Sequence, residues 1–177
     1  VLENLVAPLQ QVIDAHLYYD TSDSRLWMSW GGQGQRLNPE KGTGHLWVSE
    51  LDPETGLLLN PEPGDTQLNK NIDRHTKVAS FDGDAYSPGQ HMEGPALWKR
   101  DGYWYIFGSY GNLVHNYTIR MGRSDSPTGP FYTKEDNQLF LTQRNSDGSF
   151  AATMLLGDES DQRVPGHPHL WEDNGIT

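Results

Sequence analysis

There is no cysteine in the 177 residues of this chain. That removes disulfide frameworks, thiolate metal sites and cysteine nucleophiles together. No apolar run approaches the roughly 18 residues of a membrane-spanning helix. Basic residues are scarce: 13 Lys and Arg stand against 24 Asp and Glu, giving a net charge of -11 and a pI near 4.9. Such a surface repels nucleic-acid phosphates and anionic lipid, so neither nucleic acid nor membrane is expected as a partner. Solubility or adaptation to salt accounts equally well for the acidity, and a neutral or cationic ligand meets no barrier. Neither an initiator Met nor a signal peptide precedes Val1-Leu2-Glu3-Asn4, so the expectation is a processed or truncated chain, or one piece of a longer protein. None of these absences excludes a compartment, and secretion or the periplasm is favoured over the cytoplasm.

What the chain has is rings and turns. Hydrophobic content is only 34%, but there are six Trp and eight Tyr, with 19 Gly and 11 Pro. That mixture predicts an all-β fold of short strands around an aromatic core, not helices. Pro8 interrupts an otherwise helical spacing, so residues 1–12 read as an extended lead-in. His16 to Tyr19 predicts a strand, Thr21-Ser22-Asp23-Ser24 a turn, and Arg25 to Trp30 a second strand. In that strand Leu26, Met28 and Trp30 share one face, opposite Trp27 and Ser29. Gly31-Gly32-Gln33-Gly34 lacks the following helix of a phosphate-binding loop and reads as a loop to Gly44, bordering a site. His45 to Leu51 and Leu57-Leu58-Leu59 complete a four-element sheet. Asp65 to Gln90 reads as a long polar connection holding one apolar island, Val78 to Phe81.

The layout then repeats. Ala96 to Lys99, the Asp101-Gly102 turn, Tyr103 to Ser109, Tyr117 to Ser124 and Phe131-Tyr132 form a second unit, and residues 137–156 connect onward. Gly166 to Trp171 opens a third unit, with a turn at Asp173-Asn174-Gly175. The anchors Leu17, Leu97 and Leu170 lie 80 and 73 positions apart. Four strands per period of about 75 residues predict a β-propeller. The units span residues 13–64, 92–140 and 166–177, too few to close a ring. The remainder is expected from the same protein or from another chain.

In a propeller the innermost strands start around one end of a central channel. Asp14, Glu93 and His167 stand three or four positions before their anchors, so they are expected to face one pocket. Paired carboxylates in an aromatic pocket suit general acid and base work on a glycosidic bond, where burial or a second carboxylate holds the proton on the acid. His16, Trp30, Gly31 and Tyr110 are the candidate substrate-binding residues, with Trp and Tyr faces stacking on sugar rings. Structural readings stand beside these: Asp14 capping a turn, Glu93 held by Gly94-Pro95, and His16, His167 and His169 as hydrogen-bonding residues. His16-x-x-x-Asp20 and His167-x-His169 are weak metal motifs, because in strands the first pair is too far apart and the second shares a face with no third ligand in view.

Ile13-Asp14-Ala15-His16-Leu17-Tyr18-Tyr19-Asp20, the run from Glu93-Gly94-Pro95 to Tyr105, Gly122 to Phe131 with its Ser124-Asp125-Ser126-Pro127-Thr128-Gly129-Pro130 core, and Gly166-His167 together resemble glycoside hydrolase family 43. The resemblance implies a five-bladed propeller of inverting enzymes that act on arabinan and xylan. It implies Glu93 as general acid, Asp14 orienting it and tuning its pKa, and His167 helping to hold a channel cation such as calcium, with no other cofactor required. Ala15 departs from the Pro usual after that Asp. The family's general base is an Asp on an upstream blade, and no counterpart is expected in this segment. The alternatives are a propeller that binds carbohydrate without catalysis, a partner-binding scaffold, and a fructosidase-like enzyme, whose nucleophile motif is not visible. Asn116-Tyr117-Thr118 is a sequon of the kind that arises by chance.

Overall fold

Asp101 and Gly102 both have positive φ, 51° and 81°. A two-residue hairpin turn of type I′ requires this, and an Asp-Gly pair supplies it cheaply. The turn joins strand β5 (His91–Arg100) to β6 (Tyr103–Gly111) in antiparallel register, with Arg100 opposite Tyr103. In the computed structural model, residues 12–32, 44–59, 75–80, 91–112, 117–133, 153–156 and 165–173 are described. The lead-in 1–11, loop residues 33–43, most of the connections 60–74, 81–90 and 134–152, and the turn residues 174–175 lie outside them.

The remaining strands are β1 (Val12–Asp20), β2 (Arg25–Gly32), β3 (His45–Leu51), β4 (Thr76–Ser80), β7 (Thr118–Ser124) and β8 (Thr153–Leu156). They form two four-stranded antiparallel sheets, β1-β2-β3-β4 and β5-β6-β7-β8, each in chain order. Strand β2 is buried from Trp27 onward on both faces, and its alternation decides which residue packs where. Trp27 enters the core between the sheets, with Leu46, Val48, Val78, Ala79, Met92, Leu97, Trp104, Ile106, Tyr110 and Phe131. Met28 and Trp30 point the other way, onto Trp47, Leu51 and Leu58. Full burial of an aliphatic side chain such as Leu97 or Ile106 stabilises the fold by about 1.5–3 kcal/mol.

Polar contacts also pin sheet to sheet. The Lys99 ammonium donates to Asp20 Oδ2 at 2.5 Å and to Ser22 Oγ at 2.9 Å, while Ser22 donates to Asp20 Oδ1 through both its amide and its hydroxyl. Burial alone would push the Asp20 carboxyl up, but these donors outweigh it and hold it below its ordinary value of 3.8. A depressed carboxyl stabilises the fold above its unfolded pKa, and that stability is lost as pH falls through the folded pKa. Asp20→Asn is therefore expected to lower stability at neutral pH by about 2–3 kcal/mol, since Lys99 loses its buried counter-charge. Denaturant melts from pH 7 downward check this. The deficit should shrink below about pH 4, and a deficit constant across that range would refute the linkage.

The fourth strand of each sheet departs from expectation. Leu58 and Tyr132 make only isolated bridges, to Leu51 and Arg123. The β3 edge is instead taken by β4, which lies inside the expected polar connection, because Val78 and Ala79 reach the core between the sheets while Leu57 and Leu59 stay exposed. The β7 edge is taken by β8, whose Leu155 and Leu156 are largely exposed, so its place rests on backbone pairing. The sheets accordingly span residues 12–80 and 91–156. Residues 165–172 form no strand among the described residues. They are held by contacts to the starts of β1 and β5 and to Ser109 near the end of β6.

Candidate active site

Strands β1 and β5 lead their sheets, and each slips register near its start, between Ile13 and His16 and between Glu93 and Ala96. At each slip one residue adopts left-handed backbone: Asp14 at φ 57° and Gly94 at φ 58°. His167 does the same at φ 55°. All three stand three residues before their anchors Leu17, Leu97 and Leu170. The repeat therefore pairs Asp14 with Gly94 and His167, and Glu93 falls one residue earlier, a correction to the expected equivalence. Bulges of this kind re-aim side chains at the rims of sheets.

Glycine at 94 lets the three segments converge. A Cβ there would lie 3.2 Å from the His167 Cα and 3.2 Å from Ser109 Oγ, tighter than most real contacts. In the space left open, the Gly94 amide donates to Asp14 Oδ2 at 3.1 Å. Asp14 Oδ1 is 3.8 Å from His167 Nδ1, too long for a hydrogen bond. The His167 amide donates to Ser109 Oγ at 2.5 Å, and Ser109 stands opposite Glu93 in the β5–β6 ladder. Glu93 and Asp14 are both partly buried, so their carboxylates are shielded from water without being sealed from a ligand.

Glu93 has a partner that the sequence did not indicate. The Tyr117 hydroxyl donates to Glu93 Oε1 at 2.7 Å. Burial first, then the Glu93 carboxylate, push the Tyr117 phenol well above its ordinary range, so it stays protonated. Nothing local links residues 93 and 117; the order β5-β6-β7 brings them together.

Of the other candidates, Gly31 stays beside the site: a Cβ there would lie 3.8 Å from the Glu93 Cα. Trp30 and Tyr110 do not offer ring faces to a sugar. Trp30 is 0% exposed, stacked on Trp47 at 5.3 Å, with its indole N–H donating to Ser49 Oγ. Tyr110 is 1% exposed in the core between the sheets. Strand alternation turns both into the packed layers, and they are core residues. His16 is also covered: it is buried, and its ring meets His169 edge-on at 5.1 Å. Burial, followed by the neighbouring His169, lowers its pKa and favours the neutral imidazole. Its Nδ1 has no hydrogen-bond partner among the described residues.

His167 is largely exposed, and among the described residues no group of three or more His, Asp or Glu is placed to hold a metal ion.

The family model for Glycosyl hydrolases family 43 matches residues 3–175. The chain is 31% identical over 144 residues to the extracellular endo-α-(1→5)-L-arabinanase 2 of Bacillus subtilis (strain 168), covering 78% of this chain and 25% of that protein. It is 32% identical over 133 residues to an extracellular endo-α-(1→5)-L-arabinanase of Thermotoga petrophila, covering 72% of this chain and 22% of that one. The solved structure of native Bacillus subtilis arabinanase Arb43A superposes with a TM-score of 0.60 at 20% identity, over 91% of this chain and 45% of that one. The chain thus spans about a quarter of the length of these curated relatives.

Proposed function

The chain belongs to glycosyl hydrolases family 43, its sheets being blades of a five-bladed β-propeller, and from that membership we propose that it carries half of the catalytic pair of an inverting arabinan- or xylan-degrading hydrolase. The observation that carries the reading is the bond from the Gly94 amide to Asp14 Oδ2. It ties a carboxylate on one sheet to the backbone next to a carboxylate on the other. In this reading Glu93 delivers a proton to the departing glycosidic oxygen, and Asp14 holds the Glu93 segment in place and supplies nearby negative charge. Inversion also needs a base to activate water on the opposite face of the sugar, and that base is expected on an upstream blade. The relatives described above, named as extracellular α-1,5-arabinanases, favour an arabinan substrate and a secreted protein. A channel cation near His167 belongs to the same reading, with its other ligands drawn from outside the described residues and no step routed through it.

The test is made on the intact protein with linear α-1,5-arabinan and with xylan. Release of reducing ends is expected, and the first product seen by NMR should have the anomeric configuration opposite to that of the bond cleaved. Saturable binding without release would favour a carbohydrate-binding propeller, and retained configuration would overturn the pairing of acid with distant base.

A further inference from the structure

The Tyr117 hydroxyl lies in a run of polar groups that leads from the His167 amide past Ser109 to Glu93. It begins at the His167 amide, an obligate donor, which binds Ser109 Oγ at 2.5 Å. Ser109 lies beside Tyr117 and favours its phenolate form, an effect smaller than burial and the Glu93 carboxylate, which keep the phenol protonated. Tyr117 then donates to Glu93 Oε1 at 2.7 Å. Both intermediate residues are enclosed, Ser109 at 0% and Tyr117 at 5% exposure. The ring has little freedom: a Cβ on Gly166 would run into its Cε1 and Cδ1. The third segment thus packs against the Tyr117 ring at Gly166.

We propose that Tyr117 is a positioning residue that decides which oxygen of Glu93 carries the transferable proton. A protonated carboxyl has one hydroxyl oxygen and one carbonyl oxygen, and the carbonyl oxygen is the better acceptor. A permanent donor on Oε1 makes Oε1 the carbonyl oxygen and leaves the proton on Oε2. As the glycosidic C–O bond breaks, its electron pair stays on the leaving oxygen, which takes the Oε2 proton. Attacking water forms the new bond at the sugar carbon and gives its proton to the base. Glu93 ends as a carboxylate, still bound at Oε1, and Tyr117 neither gains nor loses a proton. This proposal rests on the reading of Glu93 as the acid.

Tyr117→Phe in the intact protein removes the donor and keeps the ring. On α-1,5-arabino-oligosaccharides, whose sugar leaving group needs protonation, kcat should fall about 10–100-fold with KM within about twofold. On nitrophenyl glycosides of the same sugar, which depart without a proton, the loss should stay under about threefold. Equal losses on the two substrate classes would mean a merely structural role and overturn the proposal. Gly166→Ala reaches the same contact from the other side by displacing the ring. It should show the same split between leaving groups, and it decides the question should Tyr117→Phe not fold. Glu93→Gln run in parallel separates the two ideas: activity in that variant removes the acid itself, whereas an inactive Glu93→Gln beside an unsplit Tyr117→Phe removes only the role of Tyr117.

Discussion

Glu93→Gln in the intact protein is expected to lower kcat on arabinan by about 10²–10⁴-fold with little change in KM. Glutamine keeps the shape of the side chain and an oxygen able to accept from Tyr117, so it should leave the fold and the Oε1 contact in place. What it lacks is the transferable proton. The loss corresponds to about 3–5 kcal/mol of transition-state stabilisation. It should be much smaller on an aryl glycoside whose leaving group needs no proton. Steady-state kinetics on both substrates, with a thermal melt to verify folding, check the point. Full activity on arabinan in Glu93→Gln would place the acid elsewhere.

Asp14 carries two loads, and two substitutions separate them. Its backbone is left-handed at φ 57°, a region that Asn tolerates and Ala enters only with a penalty of about 1–2 kcal/mol. Its Oδ2 accepts the Gly94 amide, and an Asn side-chain oxygen can do the same. Asp14→Asn is thus expected to melt within a few degrees of the parent and still lose about 10²-fold or more in kcat, reporting the charge beside Glu93. Asp14→Ala should lose the same activity and also about 2–3 kcal/mol of stability, from backbone strain together with the unpaired Gly94 amide. If Asp14→Asn were as active as the parent, the charge would have no part in the reaction and Asp14 would be a turn residue only.

The reach of sequence reasoning can be followed residue by residue. The alternation Leu26-Met28-Trp30 against Trp27-Ser29 matches the two buried faces of β2, because side-chain direction in a strand repeats every two residues. The Asp101-Gly102 turn stands where its chemistry requires. Trp30 and Tyr110 are buried, and a ring looks the same in sequence whether it lines a pocket or fills a core; only the covering sheet distinguishes the two. Strand β8 escaped notice for the opposite reason. Its leucines remain exposed and it is joined to β7 by backbone pairing, which leaves little trace in composition.

Taken by itself, the sequence determined an all-β repeat with aromatic cores, acidic outside, and named Asp14, Glu93 and His167 as the residues to watch. Those features depend on period, turn chemistry and charge, all of which act over a few neighbouring residues. The tertiary structure alone decided that Gly94 is the counterpart of Asp14, that Val78-Ala79 closes the first sheet, and that Tyr117 lies on Glu93. Each of these turns on which edge pairs and which segment crosses which, over separations of tens of residues. Local preferences do not encode such pairings; burial of the whole selects them.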